Sequence, residues 1–276
     1  MSTLVIDDDA KLEVQKQWDG NPCGASTVQD LDTDSLEFYR AIRQFRYHDY
    51  APWADKVINF DRFCNNDILE IGVGLGSDHF KFAAAGNRMT ALDLSREHLR
   101  HTTRHLELEG FKTHPVYGDA EQMPFEDASF DVAYAFGVLH HTPNTQESID
   151  EVHRILRPGG TAIVGLYHLN SISYWFSTMF VQGILKLGLL RKGYRRLVSE
   201  IEYRDEMNDA LPLVKVYSRS GVRRLFSKFS HLRIKTCHVE HSHFSRLGRL
   251  FGSVPRQRLE RFLGFGGWYV IAEAVK

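Results

Sequence analysis

The stretch from Asp67 to Gly76, DILEIGVGLG, decides the fold. Ile68, Leu69 and Ile71 supply the apolar side chains of a short strand, and Gly72, Gly74 and Gly76 follow it directly. Glycine suits a chain that turns tightly or brings its backbone against a ligand without a Cβ in the way. A helix starting behind such a turn presents unpaired N–H groups to whatever lies there. A dinucleotide-binding turn uses the same device with the spacing GxGxxG. Counted from Gly72, that spacing needs a third glycine at position 77, where this chain has Ser77.

Three acids flank this turn and its neighbours. Glu70 lies at the end of the first strand, where a carboxylate needs a partner or a ligand. Asp93 ends the next expected strand in TALDLS, and Asp119 ends a third in YGDAEQMPF. A carboxylate in the second position can hold ribose hydroxyls, as in other doubly wound folds. Asp119, with the backbone N–H of Ala120, can meet a base. The structural alternative for Asp93 is a helix cap, although Ser95 is better suited to that task. Acids at three successive strand ends lie along the edge where such sheets bind ligands.

Strand and helix patterns alternate outward from this turn. Strands are expected at 67–71, 88–94, 113–116, 130–135 and 161–166, with helices at 77–85, 96–109 and 145–156 between them. That alternation predicts a doubly wound α/β fold with a parallel sheet covered on both faces. A helix is expected over 35–47, a helical cap over 170–213, a further helix over 218–229, and strands over 232–240 and 268–275. The domain reading is a flexible acidic arm at 1–34, covering helices at 35–66, and the main domain at 67–276 with the cap inserted at 170–213.

The chain has 276 residues with 34 Lys and Arg against 35 Asp and Glu, so it lacks the basic excess of a nucleic-acid carrier. Three cysteines give neither a disulfide framework nor a metal spacing, and the N-terminus has no signal-peptide pattern. A cytoplasmic protein is expected, as monomer or homodimer. Residues 171–190, SISYWFSTMFVQGILKLGLL, are apolar with one charge, and Arg191, Lys192, Arg195 and Arg196 follow. Read as a surface-lying helix, residues 171–196 offer a peripheral membrane contact. His238, His241 and His243 have no recognised metal spacing, and no metal is expected.

The stretches LEIGVGLG, TALDLS, GDAEQMPF, FDVAYAFGVLHHTPN and EVHRILRPGG, with a looser GWYVIAEAV near the end, resemble the class I S-adenosylmethionine-dependent methyltransferases. Within them the chain is most similar to the ubiquinone/menaquinone methylase branch, methyltransferase type 11. The resemblance implies a seven-stranded sheet of order 3-2-1-4-5-7-6 with strand 7 antiparallel, and N-terminal helices over the cofactor. It implies S-adenosyl-L-methionine as cofactor. Glu70, Gly72, Gly74 and Gly76 would lie at its methionine end, Asp93 and Leu94 at the ribose and adenine, Asp119 and Ala120 at the adenine, and Phe136 and Val138 beneath. Arg46 and Tyr50 would reach its carboxylate, with Tyr47 and Trp53 closing over the acceptor. The entry WDGNPCG at 18–24 and the long insert are this chain's own.

Methyl transfer from a sulfonium needs alignment, and a base only where the nucleophile must lose a proton. His140 and His141 after the fourth strand, and Tyr167 and His168 at the end of the fifth, are the candidate bases. Tyr174, Trp175 and Met179 in the cap, with His241, are the candidate walls for an aromatic or apolar small-molecule acceptor. The nucleophile stays open between O, N and C. The competing readings are a membrane-surface quinone or lipid methyltransferase and a dinucleotide-dependent oxidoreductase.

Overall fold

The computed structural model describes residues 9–20, 25, 28, 30–202 and 212–276. Cys23, most of the WDGNPCG entry and residues 203–211 of the insert lie outside the described residues. In chain order the described elements begin with α1 (Asp9–Gly20), α2 (Leu36–Gln44), α3 (Ala54–Ile58), β1 (Asp67–Ile71), α4 (Ser77–Ala84), β2 (Arg88–Asp93) and α5 (Arg96–Leu108). They continue with β3 (Thr113–Tyr117), β4 (Phe130–Phe136), α6 (Thr145–Ile155), β5 (Leu156–Tyr167), a π-helical segment (Ser173–Leu185) and α7 (Gly188–Ser199). The last are α8 (Arg219–Leu225), β6 (His231–Cys237), a 3-10 segment (His241–Phe251), α9 (Arg256–Leu263) and β7 (Tyr269–Val275).

The seven strands form one sheet of order β3-β2-β1-β4-β5-β7-β6. β7 runs antiparallel to both β5 and β6, as the resemblance implied. Both faces of the central strands are buried, which is why β1, β4 and β5 read as nearly unbroken apolar runs. Leu69, Ile71, Ala133, Ala135, Val164 and Leu166 pack against α6 and α8 on one face. Ile68, Val132, Tyr134 and Ile163 pack on the other face against α4, α5 and residues 51–60. Ser95 caps α5 by accepting the N–H of His98 at 3.1 Å, in keeping with its place before the helix.

Four stretches differ from expectation. Residues 9–20 form a helix rather than part of a loose arm. The acidic composition hides it, because its partners, Leu94, Ser95, Asp119 and Glu121, are all remote in sequence. β5 starts at Leu156, before Pro158, because Leu156 pairs with Phe130 across a register shift. The helix expected over 35–47 ends at Gln44 and widens into a π-helical turn, Phe45–Tyr50. β6 stops at Cys237, where His238 takes φ +73° and turns the chain out of the sheet.

The π-helical turn fastens the N-terminal helices to the sheet through Asp78, at the start of α4. Arg46 clamps Asp78 with both arms, Nε to Oδ1 at 3.1 Å and Nη2 to Oδ2 at 2.7 Å. The Tyr47 hydroxyl donates to Oδ1 at 2.7 Å and the Tyr134 hydroxyl, from β4, to Oδ2 at 2.6 Å. Burial opposes the charge on Asp78, but Arg46 and the two hydroxyls outweigh it and hold the carboxyl below its ordinary 3.8. Burial likewise opposes the Arg46 charge, and Asp78 overcomes it.

Removing one member leaves the other charge buried and unpaired. Asp78→Asn is expected to cost about 3–5 kcal/mol of unfolding free energy in urea titration. Because the folded pKa is depressed, the stabilisation from Asp78 is fully present above about pH 4 and drains away as pH falls through the folded value. A urea midpoint for Asp78→Asn equal to that of the parent chain would refute this role.

Candidate active site

A cavity of about 240 Å³ opens along the C-terminal ends of the parallel strands. Its floor is the glycine turn. Gly72 has φ +75°, and a Cβ there would lie 2.2 Å from Val138 Cγ2, so only glycine lets the loop after β4 close on the turn. Gly74 has φ +54°, nothing lies within 4 Å of where a Cβ would stand, and its backbone borders the cavity. Gly76 does not reach the cavity. It caps α4 against Thr102, 3.1 Å from where its Cβ would be, so its job is packing.

Glu70 lies beneath the turn, buried, with Oε2 2.9 Å from His79 Nδ1. His79 Nε2 is 2.8 Å from the Thr113 hydroxyl, which itself donates to the Met89 carbonyl at 3.4 Å. Burial pushes the Glu70 carboxyl well up, with Asp78 and Asp93 adding and Arg46 opposing. Burial drives His79 down to about 3. A protonated Glu70 donating to Nδ1, with Nε2–H donating to Thr113, satisfies each group in turn.

Asp93, at the end of β2, is already well bonded. Oδ2 accepts the N–H of Val73 at 2.9 Å and Oδ1 that of Ser95 at 2.8 Å. His98 Nδ1 stands 3.2 Å from Oδ2. Burial opposes the His98 charge, but Asp93 raises its pKa above the ordinary 6.5. His98 Nε2 is buried with no partner among the described residues, and His98 lines the cavity. Sequence alone does not single out His98, because a histidine in the first turn of a helix gives no pattern.

Asp119 holds the far end of the cavity with Ala120 beside it. Its Oδ1 accepts the N–H of Glu121 at 2.9 Å, and Oδ2 takes Lys11 Nζ at 2.5 Å. Lys11 also reaches Glu121 at 2.5 Å. Burial works against the lysine charge, but the two carboxylates raise its pKa on balance. Gln15 donates to the Leu94 carbonyl at 3.0 Å, and Val14 and Trp18 complete this wall. Helix α1 therefore contributes four residues to the cavity that a loose arm would not supply.

The opposite wall is built from the end of β4, the loop after it, the end of β5 and residues of the covering turn. Phe136 and Val138 line the cavity, and the Arg46 guanidinium sits 4.6 Å above the Phe136 ring. Tyr50 reaches the cavity, its hydroxyl bonded to that of Tyr269. His141 Nδ1 lies 2.6 Å from the Leu213 carbonyl, which can only accept, so Nδ1 carries the proton. Its Nε2 is buried, has no hydrogen-bond partner among the described residues, and stands 3.9 Å from Glu202 Oε1. Glu202 in turn accepts the Tyr167 hydroxyl. Burial lowers the His141 pKa below 6.5, Glu202 and the Leu213 carbonyl oppose that, and Lys215 adds to it.

Several expected site residues are elsewhere. His140 is fully buried behind His141, its ring centroid 3.9 Å from that of Tyr167, and it does not line the cavity. His168, one residue past β5, donates Nδ1–H to the Gly267 carbonyl at 3.0 Å outside the cavity, since its extended backbone, bridged to Tyr217, turns it to the face opposite Tyr167. Tyr47 is bound to Asp78, and Trp53 donates Nε1 to His238 at 3.1 Å, so neither borders the cavity. Arg46 does border it, with its guanidinium committed to Asp78. In the insert, Tyr174 is buried with its hydroxyl on Tyr194 at 3.1 Å, Met179 packs on the core and Trp175 points outward. His241 bonds the Val254 carbonyl at 3.0 Å. From the insert it is Glu202, just past α7, that reaches the cavity.

Two histidine–carboxylate groups, His140–His141–Glu202 and His238–Glu240–His243, bring ligand atoms within 4.8 Å of one another. Each already faces a protein cation. Lys215 depresses the pKa of both His140 and His141, and Arg256 Nη2 lies 3.1 Å from His238 Nδ1.

Comparison with known proteins agrees with this geometry. The methyltransferase domain family matches residues 69–164. The chain is 28% identical over 193 residues to 27-O-demethylrifamycin SV methyltransferase of Amycolatopsis mediterranei, spanning 66% of this chain and 70% of that protein. It is 30% identical over 166 residues to ubiquinone biosynthesis O-methyltransferase of Dechloromonas aromatica, spanning 56% of this chain and 68% of that one. Against sterol methyltransferase-like 3 of Botryococcus braunii it is 33% identical but spans only 38% of the relative's length. Among solved structures, an S-adenosylmethionine-dependent methyltransferase from Thermotoga maritima superposes with a TM-score of 0.52 at 17% identity, covering 89% of this chain and all of the other. A chain from the Haloferax volcanii complex of the Trm112 methyltransferase activator gives 0.55 at 14%, covering 98% of this chain and 99% of its own, a likeness of fold. By its motifs, its strand order and these relatives, the chain belongs to the methyltransferase domain family with the class I S-adenosylmethionine-dependent fold.

Proposed function

We propose that this protein transfers a methyl group from S-adenosylmethionine to a hydroxyl of a small, largely apolar molecule, with His141 as the general base. The observation that carries the reading is the bare Nε2 of His141. Its other nitrogen is tied to the Leu213 carbonyl, so Nε2 carries the lone pair, in the tautomer a base requires, on a residue that lines the cavity.

The cavity suits the cofactor on its own features. A glycine floor with backbone open to the space, the unpartnered His98 Nε2 and the carboxylates of Asp93 and Asp119 match a cationic, hydroxyl-bearing ligand. In this reading Asp93 and His98 take the ribose hydroxyls, and Glu70 lies at the amino end. Asp119 shares itself between the adenine and Lys11, with Ala120 and Leu94 alongside. Phe136, Val138 and Tyr50 shape the side nearest His141. When bound, S-adenosylmethionine supplies an electrophilic methyl on a sulfonium, and its departure leaves a neutral thioether.

The residues of this chain do the rest. His141 takes the hydroxyl proton as the oxygen becomes the nucleophile. Glu202, 3.9 Å away, stabilises the imidazolium that results. Tyr167 holds Glu202 in place. The aromatic walls exclude water, which strengthens each of these interactions. One relative is an O-methyltransferase by name and the name of another specifies a 27-O-demethyl compound, which supports a hydroxyl acceptor.

Three variants and a pH profile test this. Asp93→Asn is expected to weaken S-adenosylmethionine binding roughly 10- to 100-fold in isothermal titration, the loss of charged hydrogen bonds. Unchanged affinity would remove Asp93 from the cofactor site. In a labelled-methyl transfer screen over phenols, alcohols, amines and quinones, His141→Ala should lower kcat roughly 10²–10⁴-fold while leaving cofactor affinity within about twofold. Glu202→Gln should lower kcat by a smaller factor. Because burial depresses the His141 pKa, activity should hold from neutral pH to below 6.5 and fall as the ring takes a proton. Transfer confined to amines, with His141→Ala fully active, would overturn the base assignment.

A further inference from the structure

The insert and the segment before β7 expose large apolar side chains, and both stretches are rich in bases. Trp175, Leu185 and Leu190 stand out from the π-helical segment and α7, at 53%, 63% and 83% exposure. Leu250, Phe262 and Phe265 stand out from the C-terminal helical segments at 75%, 71% and 71%. The two regions are packed together. Ser177 and Ser245 share a hydrogen bond at 3.1 Å, and Gly266 lies so close to Ile172 that a Cβ would come within 2.9 Å of it. Large side chains at this exposure in neighbouring elements mark a surface that meets something.

The charges say what it meets. Residues 171–199 hold five bases and no acid, and residues 241–263 hold five bases and one acid, Glu260. Glu260 is turned inward, accepting the N–H groups of His238 and Val239 at 2.6 Å each. Arg191, Arg195, Arg246 and Arg249 are exposed and form no ion pair among the described residues. A two-fold dimer through this face would set arginine against arginine, since such an interface is self-complementary. Exposed apolar side chains in the same stretches as unpaired arginines instead match the acyl boundary and headgroups of an anionic bilayer. No described helix is long and apolar enough to cross a membrane, so the contact lies along the surface.

We infer that this face docks the protein on anionic lipid membranes, with both the insert and the 241–266 region entering the interface. Docking of this kind requires no particular acceptor and no particular base.

The test is co-sedimentation of the full chain with vesicles of phosphatidylcholine, with and without phosphatidylglycerol, together with tryptophan fluorescence. Binding to the mixed vesicles at low salt is expected, with a blue shift that Trp175→Phe removes. Affinity should fall at least about tenfold in about 1 M salt, where the screening length shrinks to about 3 Å. Arg246→Gln with Arg249→Gln should weaken binding about tenfold, and Leu250→Ser with Phe262→Ser should abolish it. All four positions are exposed, so the parent melting temperature should persist. Failure to sediment with either vesicle at low salt overturns the inference. So does equal binding to neutral and anionic vesicles. So does a stable dimer, without vesicle binding, that Leu250→Ser with Phe262→Ser converts to monomer.

Discussion

A single buried carboxylate organises this molecule. Asp78 stands at the start of the helix behind the glycine turn, and it collects a guanidinium and two phenols from the covering turn and the central sheet. The arrangement is self-consistent only when complete. The arginine satisfies the charge, and the two hydroxyls fill the remaining lone pairs, so that neither ion is left to bear its desolvation alone. Because Tyr134 comes from the central strand and Arg46 from the covering turn, the same four groups fix where that turn lies over the sheet. The cavity wall made by Arg46 and Phe136 follows from it, since the guanidinium held by Asp78 also rests on the Phe136 ring.

The same cluster explains what sequence can and cannot reveal. β1 is legible to the residue because apolar run, acid and glycines are all local signals. The sheet order follows from the family resemblance. The functions of Arg46 and Tyr47 are not legible in the same way. The resemblance has both reaching a ligand, and both instead reach Asp78, some thirty residues along the chain. Asp78 itself looks like an ordinary acid in a helix's first turn, where the dipole alone would justify it. Periodicity reports which face of an element is buried, and it is silent on which remote polar group waits there.

The site divides along the same line. Glu70, Asp93 and Asp119 stand out in the sequence because they end consecutive strands, and all three border the cavity. Of the four candidate bases, His141 and Tyr167 border it, while His140 and His168 are turned into the core. Of the adjacent histidines His140 and His141 only the second borders the cavity, and sequence offers no means of choosing between them. Glu202 sits in the insert without any motif, so only the folded chain brings it beside His141.

Helix α1 adds a kinetic dimension. It is twelve residues long, and among its ties are Lys11 between two acids, Gln15 on a carbonyl and Asp19 on Ser95. An element with so few fully buried side chains belongs to the low-stability end of a fold, where local opening precedes that of the core strands. The Asp119 end of the cavity is thus bounded by a wall held through polar ties.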